Sequence, residues 1–328
     1  MNDRLTLLGL GLKHHGRGQS ELLEAFVSGR PLRDIAPVPL PEFSEGLVGL
    51  NLRRVPSACR SALQVALLAL KNAGIKAPLE KNVAEKTGVY IASAHGAVDN
   101  SLAFLDSILD YGPALASPTA FSFSVNNAFA GLLSIYLNIQ GPSNTSTQFG
   151  QSFAGALQAA GSALVAGSID YALLGVVEEA APQLQDIYAA AVPEANSLWD
   201  YAKPPQGESA IFFLLASSGR KPGVAISLPV WRAGDAARFE PDLLFHSGAP
   251  QAAKPGENIL NCRELYGSTP AAQALDAALA AVMLQLGKRP SAVWLQAGNI
   301  PITGSGAFCC HMDPVTACFS AISIEEII

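Results

Sequence analysis

Residues 141–178 read GPSNTSTQFGQSFAGALQAAGSALVAGSIDYALLGVVE. A β-rich run, Asn144 to Phe149, meets a turn at Gly150. From Gln151 to Ala166 the chain is alanine-rich, with Phe153, Ala154, Leu157, Ala160, Gly161 and Leu164 at helical spacing. Gly167 stops this helix, and Asp170 to Val177 reads as a buried strand. The local plan is strand, tight turn, helix, strand. Such a turn suits a nucleophile, because a helix N-terminus lowers a thiol pKa and offers backbone N–H groups to an oxyanion. Gly150 supplies neither thiol nor hydroxyl, and Gln151 follows it.

Upstream, Leu5 to Leu12 alternates loosely and ends in glycines, as a first strand does, and His14 and His15 read as loop histidines. Ser20 to Val27, Ala58 to Ala73, Ser101 to Tyr111 and Asn126 to Asn138 read as helices, Thr87 to Ala94 as a strand ending in small residues, and Ser117 to Phe123 as an extended aromatic loop. Downstream, strands are expected at Ile211 to Leu215, Val224 to Trp231, Leu243 to Phe245, Val293 to Gln296 and Val315 to Ile324, with a helix from Ala271 to Leu286. Strand and helix alternate in both parts, which gives an α/β class.

The chain has 328 residues, 49% hydrophobic and only 15% charged, so it holds apolar surface beyond the needs of one ordinary core. A large subunit interface is the natural outlet. The formal charge of -6 argues against nucleic acid as a partner. No apolar run is long enough to span a bilayer. Cys59, Cys262, Cys309, Cys310 and Cys318 show neither a disulfide framework nor zinc spacing, which fits a reduced, cytoplasmic setting. Cys309-Cys310-His311 reads as packing near a strand, not as a metal site, since adjacent cysteines chelate one ion poorly. No metal and no cofactor is expected.

The order of short motifs resembles the β-ketoacyl synthases of the thiolase fold. Gly141-Pro142-Ser143, Gly167, Asp170 and Glu178 match the segments that flank the family's nucleophilic cysteine. Counting forward from the first anchor and backward from the second reaches Gly150. Lys86-Thr87-Gly88-Val89 matches an earlier strand motif. Pro118, Phe121, Asn127 and Gly131 match the segment at the dimer seam and acyl tunnel, and Gly207-Glu208-Ser209-Ala210 leads into the strand that closes the first half. The resemblance implies an αβαβα layered fold of two pseudo-repeated halves, 1–218 and 219–328, the second shortened. By the same resemblance His246 stands for the first catalytic histidine or is a plain loop histidine, Arg263 stands for the lysine, and Ser268 for the second histidine.

Condensation needs a thiolate to carry the acyl chain and two histidines for decarboxylation and enolate stabilisation. Gly150 carries no nucleophile, Ser268 no useful charge change, and Arg263 stays protonated. The resemblance therefore implies no catalysis by this chain alone. It points to the chain-length factor of type II polyketide systems, and more narrowly to the reduced subunits of aryl-polyene clusters. Its implied partners are an active synthase, as a heterodimer, and an acyl carrier protein, which the basic set Arg53, Arg54, Arg60 and Lys71 could touch. The implied seam and tunnel residues are Phe121, Phe123, Phe129, Asn127, Thr145, Thr147, Phe149 and Gln151. Two other readings stand beside it: an enzyme of altered chemistry, a malonyl decarboxylase through Gln151 or an acyltransferase through Cys309 or Cys310, and a homodimeric binding protein.

Overall fold

The computed structural model describes residues 4–36, 52–179, 181, 183–184, 186, 208–217, 223–233, 244–248, 259–267, 269–288, 290–297, 306–312 and 318–327. The first part runs β1 (Arg4–His14), β2 (Arg17–Gly18), α1 (Gln19–Ser28), α2 (Ser57–Asn72), α3 (Lys81–Ala84), β3 (Thr87–Ala92), α4 (Val98–Tyr111), α5 (Pro118–Phe123), α6 (Ala128–Leu137), β4 (Ser143–Ser146), α7 (Ser152–Val165), β5 (Tyr171–Glu178) and β6 (Ser209–Ser217). The second runs β7 (Gly223–Ser227), β8 (Val230–Ala233), β9 (Leu244–Gly248), β10 (Ile259–Leu260), α8 (Arg263–Tyr266), α9 (Ala272–Leu286), β11 (Leu295–Ala297), β12 (Gly306–Met312) and β13 (Cys318–Ile327).

The strands join into one mixed sheet in the order β11-β10-β9-β12-β13-β7-β1-β6-β5-β3-β4, with β2 on β1 and β8 on β13. Its two sides repeat one another. Strands β1, β3, β4, β5 and β6 lie in the spatial order third, second, fourth, fifth, first; so do β7, β9, β10, β12 and β13. The senses repeat as well. β3 is parallel to β4 and β5, while β6 is antiparallel to β5 and β1. Likewise β9 is parallel to β10 and β12, while β13 is antiparallel to β12 and β7. The repeats meet where β1 pairs antiparallel with β7.

The sheet curls around a middle layer. One core cluster unites α1, α7 and α9 with residues of both half-sheets, among them Phe26, Phe153, Leu157, Phe213, Phe245, Leu275 and Ile322. A second cluster lies on the other face of the first half-sheet, beneath α2 and α6. Among the described residues no helix packs on the far face of the second half-sheet, so the expected five-layer stack is seen here as its first four layers. The connections differ in length to match: β3 to β4 spans residues 93–142, whereas its counterpart, β9 to β10, spans residues 249–258. The boundary expected at residue 218 lies outside the described residues.

A bulge places β1 between the two cores. The pairing register with β6 shifts between Leu7 and Gly9. Leu5 and Leu7, then Leu10 and Leu12, consequently face the middle layer. Gly9 and Gly11 lie on the opposite face, against the backbone of α2 at Ala69 and Val65.

Several expectations change. Ser117 to Phe123 is not extended: Pro118–Phe123 is helical, with the Ser117 hydroxyl accepting the Ala120 N–H and proline in the first turn. The single strand expected over 224–231 is divided into β7 and β8. His14 is not a loop residue but the end of β1, and it is fully buried. Phe129 was expected at a seam or tunnel, yet it is fully buried in the core beneath α2. A partner cannot cover a side chain that its own fold already encloses. Phe129→Ala should therefore lower stability by about 3–5 kcal/mol through the cavity it leaves, visible as a shift in the urea midpoint.

Candidate functional site

Three parallel strands, β4, β3 and β5, end at the same edge of the first half-sheet, with Ala92 opposite both Ser146 and Val176. The carboxyl ends of parallel strands are where loops of an α/β sheet converge on a ligand. Here they bring together Ser93 to Gly96, the turn Gln148 to Gln151, and Glu178.

The turn follows from local chemistry. Phe149 adopts the left-handed conformation, with φ of 47°, and residues Phe149–Gln151 form one 3-10 turn into α7. This ends β4 at Ser146, earlier than the β-rich run suggests. The Ser152 hydroxyl accepts the Gln148 N–H at 2.8 Å and can donate to the Phe149 carbonyl at 2.7 Å or the Ser93 carbonyl at 3.1 Å. It is buried and committed to holding the turn, so it is no nucleophile. Gly155 lets α7 start close to β4, since a Cβ there would meet the Ser146 hydroxyl at 2.7 Å. Gly150 and Gln151 are buried at the centre of this arrangement. From the other half, β12 packs against the turn.

Behind the turn lies a carboxyl with little solvent. Glu178 is buried, accepts the Ala94 N–H at 2.7 Å and faces the Ser93 hydroxyl at 3.4 Å. Burial pushes its pKa up to about 8, against the opposing pull of those two hydrogen bonds. Burial likewise lifts neighbouring Glu179 to about 7, although it accepts the Asp99 N–H at the start of α4. His95 Nδ1 stands 3.9 Å from Glu178 Oε2, and burial lowers the imidazole pKa. The His95 ring meets the Phe149 ring edge-on, with centroids 6.0 Å apart.

Cys59, Cys262 and Cys309 are not poised as nucleophiles. They are buried; burial raises the Cys59 thiol to about 12 and Cys262 well above its usual range. Among the described residues no three His, Cys, Asp or Glu side chains gather as a metal site.

Residues 44–202 match the β-ketoacyl synthase N-terminal domain. No curated protein matches the chain. Solved ketosynthase structures match it in fold at low identity. The ketosynthase and chain length factor of ishigamide biosynthesis match at 14% identity, with all of both chains covered and a TM-score of 0.72. A type II polyketide ketosynthase, AntDE, solved with its acyl carrier protein AntF and a bound hexaketide, matches at 16% identity over 99% of this chain and 100% of that one, again with a TM-score of 0.72. A β-ketoacyl synthase from Burkholderia phymatum matches at 13% identity over all of both chains, with a TM-score of 0.71. These likenesses establish a mixed α/β fold of the ketosynthase, thiolase-like kind.

Within this ketosynthase-like fold the expected site residues divide. Gly150, Gln151, Phe149, Thr145 and Thr147 all lie on β4 or the turn that follows it. Phe121, Asn127 and Phe149 are exposed, and Phe123 is partly buried against the outer core. His246 lies in β9, beside Cys310 of β12, and Arg263 opens α8. Ser268 lies outside the described residues. His95 and buried Glu178 are functional candidates that sequence reading missed: Glu178 served only as an anchor, and His95 stood unremarked among small residues. A histidine between two small residues at a strand end, Ala94-His95-Gly96, was the available signal. No helix among the described residues is long and apolar enough to cross a membrane.

Proposed function

We propose that this chain is a non-catalytic ketosynthase-like subunit, a chain-length factor, that pairs with an active β-ketoacyl synthase and helps to shape its acyl tunnel. The observation that carries the reading is the turn itself. The strand–turn–helix that positions a nucleophile in a ketosynthase is built here, hydrogen bonds included, around Gly150.

The surface supports pairing. Among the described residues β4 ends the sheet, and its outer edge offers backbone groups to a further strand. Elsewhere α4, which packs on α5, has no buried residue, and Leu109 at 82%, Leu115 at 71% and Phe121 at 57% exposure are apolar side chains open to solvent, as is Phe149 after β4. An apolar face of this kind on a lone chain marks an interface. The ketosynthases solved with a chain length factor or a carrier protein supply the class of partner. An obligate seam of this type removes more than about 2,000 Å² from water.

Co-expression with an active β-ketoacyl synthase of the same organism, followed by size-exclusion chromatography and intact-mass analysis, tests the proposal. The expected outcome is a 1:1 complex in which acyl groups from a carrier protein label the partner only. Gly150→Cys should not restore condensation by this chain, because by the resemblance Ser268 stands where the second histidine is needed and Arg263 where the lysine is. A stable monomer that ignores the synthase, or covalent acylation of this chain followed by product, would overturn it.

A further inference from the structure

We propose that residues 98–127 form an arm that detaches from the body of the chain as one unit, and that Glu179 is the pH-sensitive latch at its base. The inference stands on the fold of the single chain and is independent of the subunit reading.

Ala97 and Ala128 are buried, yet no residue between them is. Phe123 packs against the outer core, but only partly buried. A segment with few buried apolar contacts sits at the low end of local opening free energies. The segment is nevertheless joined within itself. The Phe104 and Phe121 rings pack with centroids 5.2 Å apart, and the Ser107 hydroxyl accepts the Ser117 N–H at 2.9 Å. Its two ends leave the body side by side. The Ser101 hydroxyl reaches the Ser124 carbonyl at 2.9 Å, and Gly96, with φ of 69°, leaves room for the Asn126 side chain. Opening at this neck moves α4 and α5 together.

The latch answers a local need. The first N–H groups of a helix have no partner within it, and Ala97, at the head of α4, has no polar side chain to cap them. Glu179, just past β5, does so from outside. Its Oε2 accepts the Asp99 N–H at 3.1 Å, and the Val98 N–H also binds it. The groups around it are mostly acidic. Asp99 and Glu208 face it, and Glu178 precedes it on β5. Cys59 on α2 is a neutral thiol; Lys13 of β1 stands 3.9 Å from Glu208, and His95 3.9 Å from Glu178. Burial first, then the charges of Asp99 and Glu208, raise the Glu179 pKa to about 7 against the pull of its two backbone N–H bonds. Below that pH the protonated carboxyl still accepts the Asp99 N–H. Once ionised it is a poorly hydrated anion beside Asp99 and Glu208, and release of the arm returns it to water, where its ordinary value is 4.5. Burial and Glu208 raise the Asp99 carboxyl too, so release relieves both. The docked form binds protons more tightly, and the open fraction therefore rises with pH between about 4.5 and 7.

Hydrogen exchange on the purified full-length chain tests this, read by mass spectrometry from about pH 4.5 to 8 and corrected for the intrinsic effect of pH. Size exclusion at each pH keeps the comparison to one oligomeric state. Peptides from 98–123 should exchange together and faster than those of α2. Their opening constant should rise by about tenfold per pH step, about 300-fold between pH 4.5 and 7, and then level off. Glu179→Gln keeps a neutral acceptor for the Asp99 N–H, so this variant should lose most of that rise while α2 stays as protected as in the parent. Arm peptides that exchange no faster than α2, or an opening constant that does not change with pH in the parent, would overturn the proposal. So would a rise that persists undiminished in Glu179→Gln. The first two results come from the parent alone and decide the matter even where the variant does not fold.

Discussion

Gly11→Val should leave no soluble, folded protein, and Gly9→Val should do the same. A Cβ on Gly11 would lie inside contact distance of the Val65 carbonyl oxygen, and one on Gly9 inside that of the Ala69 carbonyl. These obstacles are main chain, spaced one turn apart on α2, and cannot rotate away. Relief requires lifting α2 off the sheet, which would open the core formed by Leu63, Ala66, Leu70, Phe129 and Phe212. Overpacking commonly costs about 1–3 kcal/mol where side chains can yield; here none can, and a mutational cost above about 4 kcal/mol is expected. Even Gly11→Ala should be severely destabilised. Gly131→Ala is the control, because a Cβ there meets nothing within 4 Å in α6. It should be neutral or stabilising by up to about 1 kcal/mol. Soluble yield and far-UV circular dichroism of the variants decide the matter; a folded Gly11→Val protein would show that α2 does not depend on this contact.

Stability should fall above about pH 6.5 and below about pH 4.5, and between these limits the buried carboxyls and the buried histidine oppose each other. Glu178 keeps its proton up to about pH 8 when folded, whereas its ordinary value is 4.5. The folded state therefore binds more protons over that range, and stability falls as pH rises through it. At 1.36 kcal/mol for each pH step the loss reaches about 5 kcal/mol. Glu179, raised to about 7, adds in the same direction. His14 acts in reverse. Burial, the nearby His15 and Arg17 hold its pKa near 3, although its bond to the Tyr266 carbonyl pulls the other way. Its Nε2–H donates to that carbonyl at 2.8 Å, and Nδ1 accepts from the Ser209 hydroxyl at 2.6 Å. The unfolded histidine takes up a proton below pH 6.5, so stability falls as pH drops from 6.5 to 3, again by up to about 5 kcal/mol. Glu178→Gln keeps a neutral partner for Ala94 and removes the titration. Its advantage over the parent should grow from pH 4.5 to 8 in urea midpoints measured on the same assembly. A gap that stays constant with pH would mean that Glu178 is ionised in the folded protein.

The first half was readable because its signals are local. The turn at Gly150 follows from two anchors at fixed distances, since a helix of set length cannot gain or lose a residue without rotating its face. Glu178 and the α7 glycines fall where that count puts them. The misreadings arose where tertiary packing or a cap decided. Ser117-Pro118 is a helix start by its cap and proline, a signal masked by the aromatic residues after it. Phe129 was given to a seam because helical spacing cannot say which side of a helix faces solvent. In the second half, two-residue β10 carries no periodicity at all, and β12 was seen only as cysteines near a strand. His14 was passed over because its partners, Ser209 and Tyr266, lie 195 and 252 residues away.

That distance has a consequence for synthesis. β1 emerges from the ribosome long before its hydrogen-bonding partners, Ser209–Ser217 on one side and Val224–Ser227 on the other. At about 5–20 residues per second, the 195 residues between His14 and Ser209 take roughly 10–40 s to be made. Throughout that time Leu5, Leu7, Leu10 and Leu12 lack the strands that flank β1 in the finished sheet. Chains released before residue 217 can never complete β1. Nascent-chain protection, by chaperones or slow growth temperature, should therefore govern the yield of this protein more than codon choice near its start.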